Sequence, residues 1–170
     1  MKKINVHYLT QAAIIAAMYA VLTHMQNILL PGTTTWAIQM RISEAMTVLA
    51  FFTPAAIPGL SIGCLLFNLT YSATLPLDFV VGTLATFLAA WGMWKTRNIL
   101  TFKLPLLGLT MPAITNAFLV GWELTQYVGG GFVINAVYVA LGELAVVLVL
   151  GSMLYIAIKN RNMKKVFAVS

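Results

Sequence analysis

Four carboxylates stand in an otherwise apolar chain: Glu44, Asp78, Glu123 and Glu143. An ionised carboxylate at the centre of a lipid-embedded helix costs roughly 2.5–3.5 kcal/mol on insertion scales, so it is kept facing the bundle interior, with a partner. Near Glu123 and Glu143 in sequence stand Asn116, Trp122, Gln126, Asn135 and Tyr138. Asn116 and Glu123 are seven apart and share a helix face. Asn135 and Glu143 are eight apart, roughly 80° around a helix, and can line one cavity at different depths. Tyr138 points well away from Glu143, to the cavity edge or beyond it. Ionised carboxylates accept hydrogen bonds and donate none. Two carboxylates, two amides and an indole therefore suit a flat heterocycle bearing N–H groups and an amine. The competing reading is that these residues pair with one another, or with Arg41, only to hold a bundle together. Arg41 and Glu44 are three apart and spaced to pair, and Asp78 is placed to cap a helix.

Other chemistries find no support. Cys64 is the only cysteine, so no disulfide framework exists within the chain. His7 and His24 stand alone, without Cys or carboxylate at ligand spacing, which argues against a metal site. No GxxxxGK[ST] loop and no Ser-His-Asp or Cys-His arrangement is present, so nothing points to bound ATP, another cofactor or catalysis in this chain. Of the 170 residues, 61% are apolar and 8% charged, against roughly 25% charged in soluble domains. The mean hydropathy of +0.91 fits a chain whose solvent is mostly lipid. The same figures exclude a disordered chain, and long apolar runs without alternation disfavour a β-barrel.

The elements that must position the acids are helices. Spans are expected at about 6–30, 42–52, 56–71, 77–94, 105–127 and 132–158, which makes one transmembrane domain of 1–170, an all-α six-helix bundle. Thr53-Pro54 interrupts the chain after the second span, Pro112 is placed to kink the fifth, and Gly129-Gly130-Gly131 forms a turn. The first span reads as retained, since no clear cleavage site follows Met1-Lys2-Lys3. Six spans put both termini on one side, with Lys2, Lys3, Lys95, Arg97, Lys103, Lys159, Arg161, Lys164 and Lys165; only Arg41 lies opposite. By the positive-inside rule both termini are cytoplasmic. The net charge of +6, which by itself points to an acidic partner such as nucleic acid, thus reads as a topology marker. All four acids fall in or near the outer half. On the first span, Ala12, Ala16 and Ala20, with Ala13 and Ala17 beside them, form either a docking face for another membrane helix or packing within the bundle. Gly59 and Gly63 read as internal packing. Trp36, Trp91 and Trp94 fall near expected membrane interfaces.

Several strings, taken in order and spacing, resemble the S components of energy-coupling factor (ECF) transporters, and most closely the queuosine-precursor family, QueT. They are Met40-Arg41-Ile42-Ser43-Glu44-Ala45, Phe51 through Leu60, Leu77-Asp78 with Gly82 through Thr86, Asn116-Ala117, Gly121-Trp122-Glu123-Leu124, and Ile134 through Glu143. The resemblance implies a six-helix subunit of a bacterial cell membrane that binds a vitamin or related nutrient from outside. It implies a transmembrane coupling subunit, EcfT, and two cytoplasmic ATPases, EcfA, which would hold the ATP and Mg. It further implies that the alanine stripe docks on the coupling subunit and that the loop with Pro31, Gly32 and Trp36 is a substrate gate. The family's substrate would be a 7-deazaguanine such as preQ1, preQ0 or queuine, or the nucleoside queuosine. A guanine-like edge offers an N–H and an NH2 side by side to one carboxylate; the aminomethyl group of preQ1 would meet a second, and Trp122 or Tyr138 would stack on the ring. The substrate-binding set is then Glu123, Glu143, Asn116, Asn135, Tyr138, Trp122, Glu44 and Arg41. Two other functions compete: a solitary secondary transporter or channel with Glu143 as a relay, and a structural membrane subunit whose acids lock helices together.

Overall fold

The computed structural model describes residues 5–33, 40–70 and 76–161. Helix α1, Val6–Leu29, is started by Asn5, whose side chain accepts a hydrogen bond from the His7 amide at 3.0 Å. A 3-10 helix follows at Ile42–Phe51, then α2 at Ala56–Thr70 and α3 at Asp78–Thr96. The expected fifth span is divided at Thr110 into α4, Leu106–Leu109, and α5, Met111–Tyr127. Pro112 therefore sits in the first turn of α5, where its missing N–H breaks no helical bond. The kink expected at Pro112 is a helix break just ahead of it. The last segment runs as α6, Phe132–Val146, a π turn at Val147–Gly151, and α7, Ser152–Asn160. No β-sheet occurs among the described residues.

The chain reverses direction from α1 to the 3-10 helix and again to α2. Gly59 and Gly63 of α2 lie against Ala12 and Ala16 of α1, and Thr70 at the end of α2 reaches His24 at 3.2 Å, so α1 and α2 run parallel. The 3-10 helix runs back between them, with Val48 against Gly151 and Phe51 edge-on to Tyr155 at 5.7 Å. It is buried from Ser43 to Phe51. A 3-10 helix rises about 2.0 Å per residue, so this short central element reaches farther than an α-helix of equal length. Around it packs the main core of Ile15, Tyr19, Leu60, Met93, Leu109 and Val147. The turn between α5 and α6 uses Gly129, Gly130 and Gly131 at φ +80°, +82° and +86°, a backbone region costly for side-chain-bearing residues.

The outer surface is apolar, with Leu9, Ile14, Met18, Val21, Val137 and Leu141 all exposed. Two stretches, Val6–Leu29 and Phe132–Asn160, are long and apolar enough to cross a membrane. At one end of the bundle Arg97 stacks over Trp94 at 3.7 Å, Lys95 lies 5.6 Å from the Trp91 ring, and Lys159 donates to the Lys103 carbonyl at 3.4 Å. Arg161 lines a groove at that end beside Gln11. The other half holds Arg41 and all four acids. Lys2, Lys3, Lys164 and Lys165 lie outside the described residues.

Candidate functional site

The site is built around the start of the 3-10 helix. Arg41 precedes the helix with an extended backbone, φ −75° and ψ 108°. That conformation lets its side chain reach beyond the face that carries Glu44. Its guanidinium crosses to α3, donating to Asp78 Oδ2 at 3.0 Å, and lies 5.5 Å from the Phe67 ring centroid. Beside the Glu44 interaction expected from spacing, Arg41 thus makes a tertiary salt bridge that no local spacing announces. Asp78, expected as a cap, makes no side-chain cap bond, because its carboxylate is turned inward to Arg41. Asn68 of α2 supports the pair, donating to the Asp78 carbonyl at 2.8 Å.

Glu44 accepts a hydrogen bond at Oε1 from the hydroxyl of Tyr19 on α1. Tyr19 begins a polar ladder with Thr23 and Gln26 that fastens residues 40–44 to α1. Thr23 Oγ1 lies 2.7 Å from Ser43 Oγ. Gln26 donates to the Met40 carbonyl at 2.5 Å and accepts from the Ile42 amide at 2.7 Å. These three were not singled out in the sequence, yet a signal was there. They continue the inward stripe of Ala12 and Ala16 at spacings of three and four, placing polar groups on a buried face of an apolar helix.

Each of the four carboxylates keeps an unpartnered oxygen, Asp78 at Oδ1. Glu44 Oε2 and Glu143 Oε2 have no hydrogen-bond partner, and neither oxygen of Glu123 has one. Glu123 is 0%, Glu44 1% and Glu143 2% exposed. Glu143, on α6, has Glu44 and Arg41 as its charged neighbours, while Glu123, on α5, has Arg41 and Asp78, whose carboxyl group comes close enough to share a proton with it although neither meets strict hydrogen-bond geometry. Arg41 is the one buried cation among the described residues, so one guanidinium faces four carboxylates. Buried polar groups are normally hydrogen-bonded, and leaving them unpaired is expensive in a dry interior. Their open lone pairs can accept hydrogen-bond donors.

The remaining expected residues divide. Asn116 is buried two turns before Glu123 on the same helix. Asn135 is buried but spends its amide on the turn, donating to Thr125 Oγ1 at 3.2 Å and to the Gly129 carbonyl at 2.8 Å. Trp122 and Tyr138 are 47% and 43% exposed and lie on the outer surface. Trp122 neighbours Glu123 in sequence, but one residue is about 100° around a helix. The buried rings beside the acids are instead Tyr19 and Phe67. Of the gate loop, Pro31 is exposed and Gly32 takes φ +87°, while Trp36 lies outside the described residues. On α1, Ala12 and Ala16 are buried under α2, Ala20 is half-buried, and Ala13 and Ala17 face outward. The stripe is thus split: half packs the bundle and half is available outside.

An all-helical chain with an apolar exterior and a polar, acid-lined interior is the build of a membrane protein that handles a polar solute. Residues 9–160 match the family model of the QueT transporter, and the chain belongs to that family. It is a transport protein, as its resemblance to that family implies. No curated protein and no solved structure matches it.

Proposed function

We propose that this chain is the substrate-binding S component of an ECF-type transporter, taking a 7-deazaguanine from outside the cell. The observation that carries this reading is Glu123, fully buried with both carboxylate oxygens unpartnered. A guanine-type edge presents two parallel N–H donors, which one carboxylate accepts together. The charge distribution supports an orientation with the basic end cytoplasmic and both termini there, which puts the acids in the outer half. Ala13 and Ala17, facing out from α1, supply a small-residue surface on which the helix of a coupling subunit approaches closely. ATP and Mg then belong to partner ATPases, and this chain is not itself an enzyme.

A second reading is favoured by Glu143 having Glu44 as a charged neighbour in the interior: a solitary transporter that relays protons through this pair. Uptake into proteoliposomes separates the two. Labelled preQ1 should accumulate only when the chain is reconstituted with its coupling subunit and ATPases and supplied with ATP. Accumulation by the chain alone, driven by an imposed ion gradient, would overturn the S-component reading.

A further inference from the structure

A groove of about 450 Å3 opens between α1 and α7 at the basic end of the bundle. Its floor is Ile15, Met46, Leu49 and Ile158, all buried, and its rim on α1 is Ile14 and Met18, both about half-exposed. The polar side chains on the lining are Gln11 and Arg161. The 3-10 helix runs antiparallel to α1 and, through Val48 on Gly151 and Phe51 on Tyr155, parallel to α7, so Gln11 and Arg161 share one end. Gln11 is engaged there, 3.1 Å from His7 Nε2 and accepting from Thr53 at 2.9 Å. Arg161 is exposed, and no side chain among the described residues pairs with its guanidinium. Lys95, Arg97 and Lys159 of the same end each lie over an aromatic ring instead. The lining spans Gln11 to Met18 and Leu154 to Arg161, about 10 Å along each wall at 1.5 Å per residue. One leaflet of hydrocarbon is about 15 Å thick, so a groove that starts with Arg161 at the polar boundary covers most of a leaflet. A helix about 10–12 Å across would fill the volume within about one turn, half the length of the groove. A flexible acyl chain fits along all of it.

We infer that this groove is a site for one anionic phospholipid, with an acyl chain lying between α1 and α7 and the phosphate held by Arg161. The layout matches: an apolar trough with one unengaged cation at its polar end. A guanidinium presents paired N–H donors that fit two phosphate oxygens, and a basic residue at the membrane surface attracts acidic lipid. Ala157, small and exposed on the α7 wall, leaves the trough open where a larger side chain would fill it. The site lies outside the acid-lined interior and requires nothing of the transported solute.

The delipidated full chain in detergent is titrated with phosphatidylglycerol and with phosphatidylcholine of identical acyl chains, and bound lipid is counted by native mass spectrometry. One phosphatidylglycerol should bind saturably, about fivefold tighter than phosphatidylcholine, the ~1 kcal/mol that one basic residue is worth at an anionic lipid surface. Arg161→Gln should bring the ratio near one. Arg97→Gln, at the same end but outside the groove, should leave it standing. Ala157→Phe should fill the trough and abolish saturable binding of both lipids. Equal affinities in the wild type, or a preference that survives Arg161→Gln, overturns the assignment of the phosphate to Arg161. Saturable binding that survives Ala157→Phe overturns the groove as the seat of the chain. If that variant keeps its lipid and instead loses a coupling subunit that co-purifies with the wild type, the groove docks protein and the inference fails. A wild type without saturable lipid binding overturns it outright. Should one groove variant fail to fold, the wild-type ratio and the other variant still decide.

Discussion

Arg41→Ala should lower the thermal stability of the purified protein by about 3–5 kcal/mol, the usual result of stripping one partner from a buried ion pair. The Arg41 and Asp78 side chains are each 5% exposed. Removing the guanidinium leaves Asp78 as a buried carboxylate with one unpartnered oxygen already present at Oδ1. It also removes the only buried cation among the described residues, which is the one near Glu44, Glu123 and Glu143. For a chain of this size the melting temperature should fall by roughly 6–20 °C. The double variant Arg41→Met with Asp78→Leu should recover most of the loss, because an apolar pair of similar volume carries no desolvation cost. Melting followed by intrinsic tryptophan fluorescence gives all corners of the cycle. Single variants within a degree or two of wild type would show that the pair is not what joins the 3-10 helix to α3.

Glu123→Gln should move two properties in opposite directions. Affinity for a 7-deazaguanine should fall by roughly 30-fold to several thousandfold, the cost of truncating one side of a buried, charged hydrogen-bonded pair at about 2–5 kcal/mol. An amide offers one acceptor and turns a donor toward the donors of the base. The ligand-free protein should nevertheless become more stable, because Glu123 is fully buried with neither oxygen satisfied and an amide is easier to bury than a carboxylate. Loss of function with gain of stability marks a residue kept for its ligand. If Glu123 locked helices together, the same substitution would lower the melting temperature. Calorimetric titration and a melting curve on one preparation separate the two.

Much of the architecture is legible in the sequence, since helix extent follows from apolar run length. The stretch expected at 132–158 is helical from Phe132 to Asn160 and the stretch expected at 6–30 is the helix Val6–Leu29, both long and apolar enough to cross a membrane. The acids stand out because charge is scarce, and Glu44, Glu123 and Glu143 are indeed brought inside. Their partners are harder to read. Arg41 and Asp78 are 37 residues apart, so no local spacing announces the pair; spacing points only to the nearer Glu44, while the extended backbone at Arg41 lets the side chain reach α3 as well. Tyr19 is equally distant from Glu44, 25 residues along the chain. Trp122 and Tyr138 show the converse error. Closeness in sequence to a buried acid says little on a helix, where adjacent side chains point about 100° apart. The alanine stripe resolves into two faces only once α2 is seen packed on Ala12 and Ala16 through Gly59 and Gly63.

The central claim is that the buried carboxylates form a receptor for a 7-deazaguanine. Ligand-induced stabilisation of the purified chain tests it most directly, because a ligand bound only by the native state raises stability by about 2.7 kcal/mol at a hundred times its dissociation constant. The panel is preQ1, preQ0, queuine, guanine, riboflavin, biotin and folate. Melting temperature should rise by several degrees with a 7-deazaguanine, not at all with riboflavin, biotin or folate, and the rise should be lost in Glu123→Gln. Stabilisation by an unrelated vitamin alone, or by no member of the panel, would contradict it.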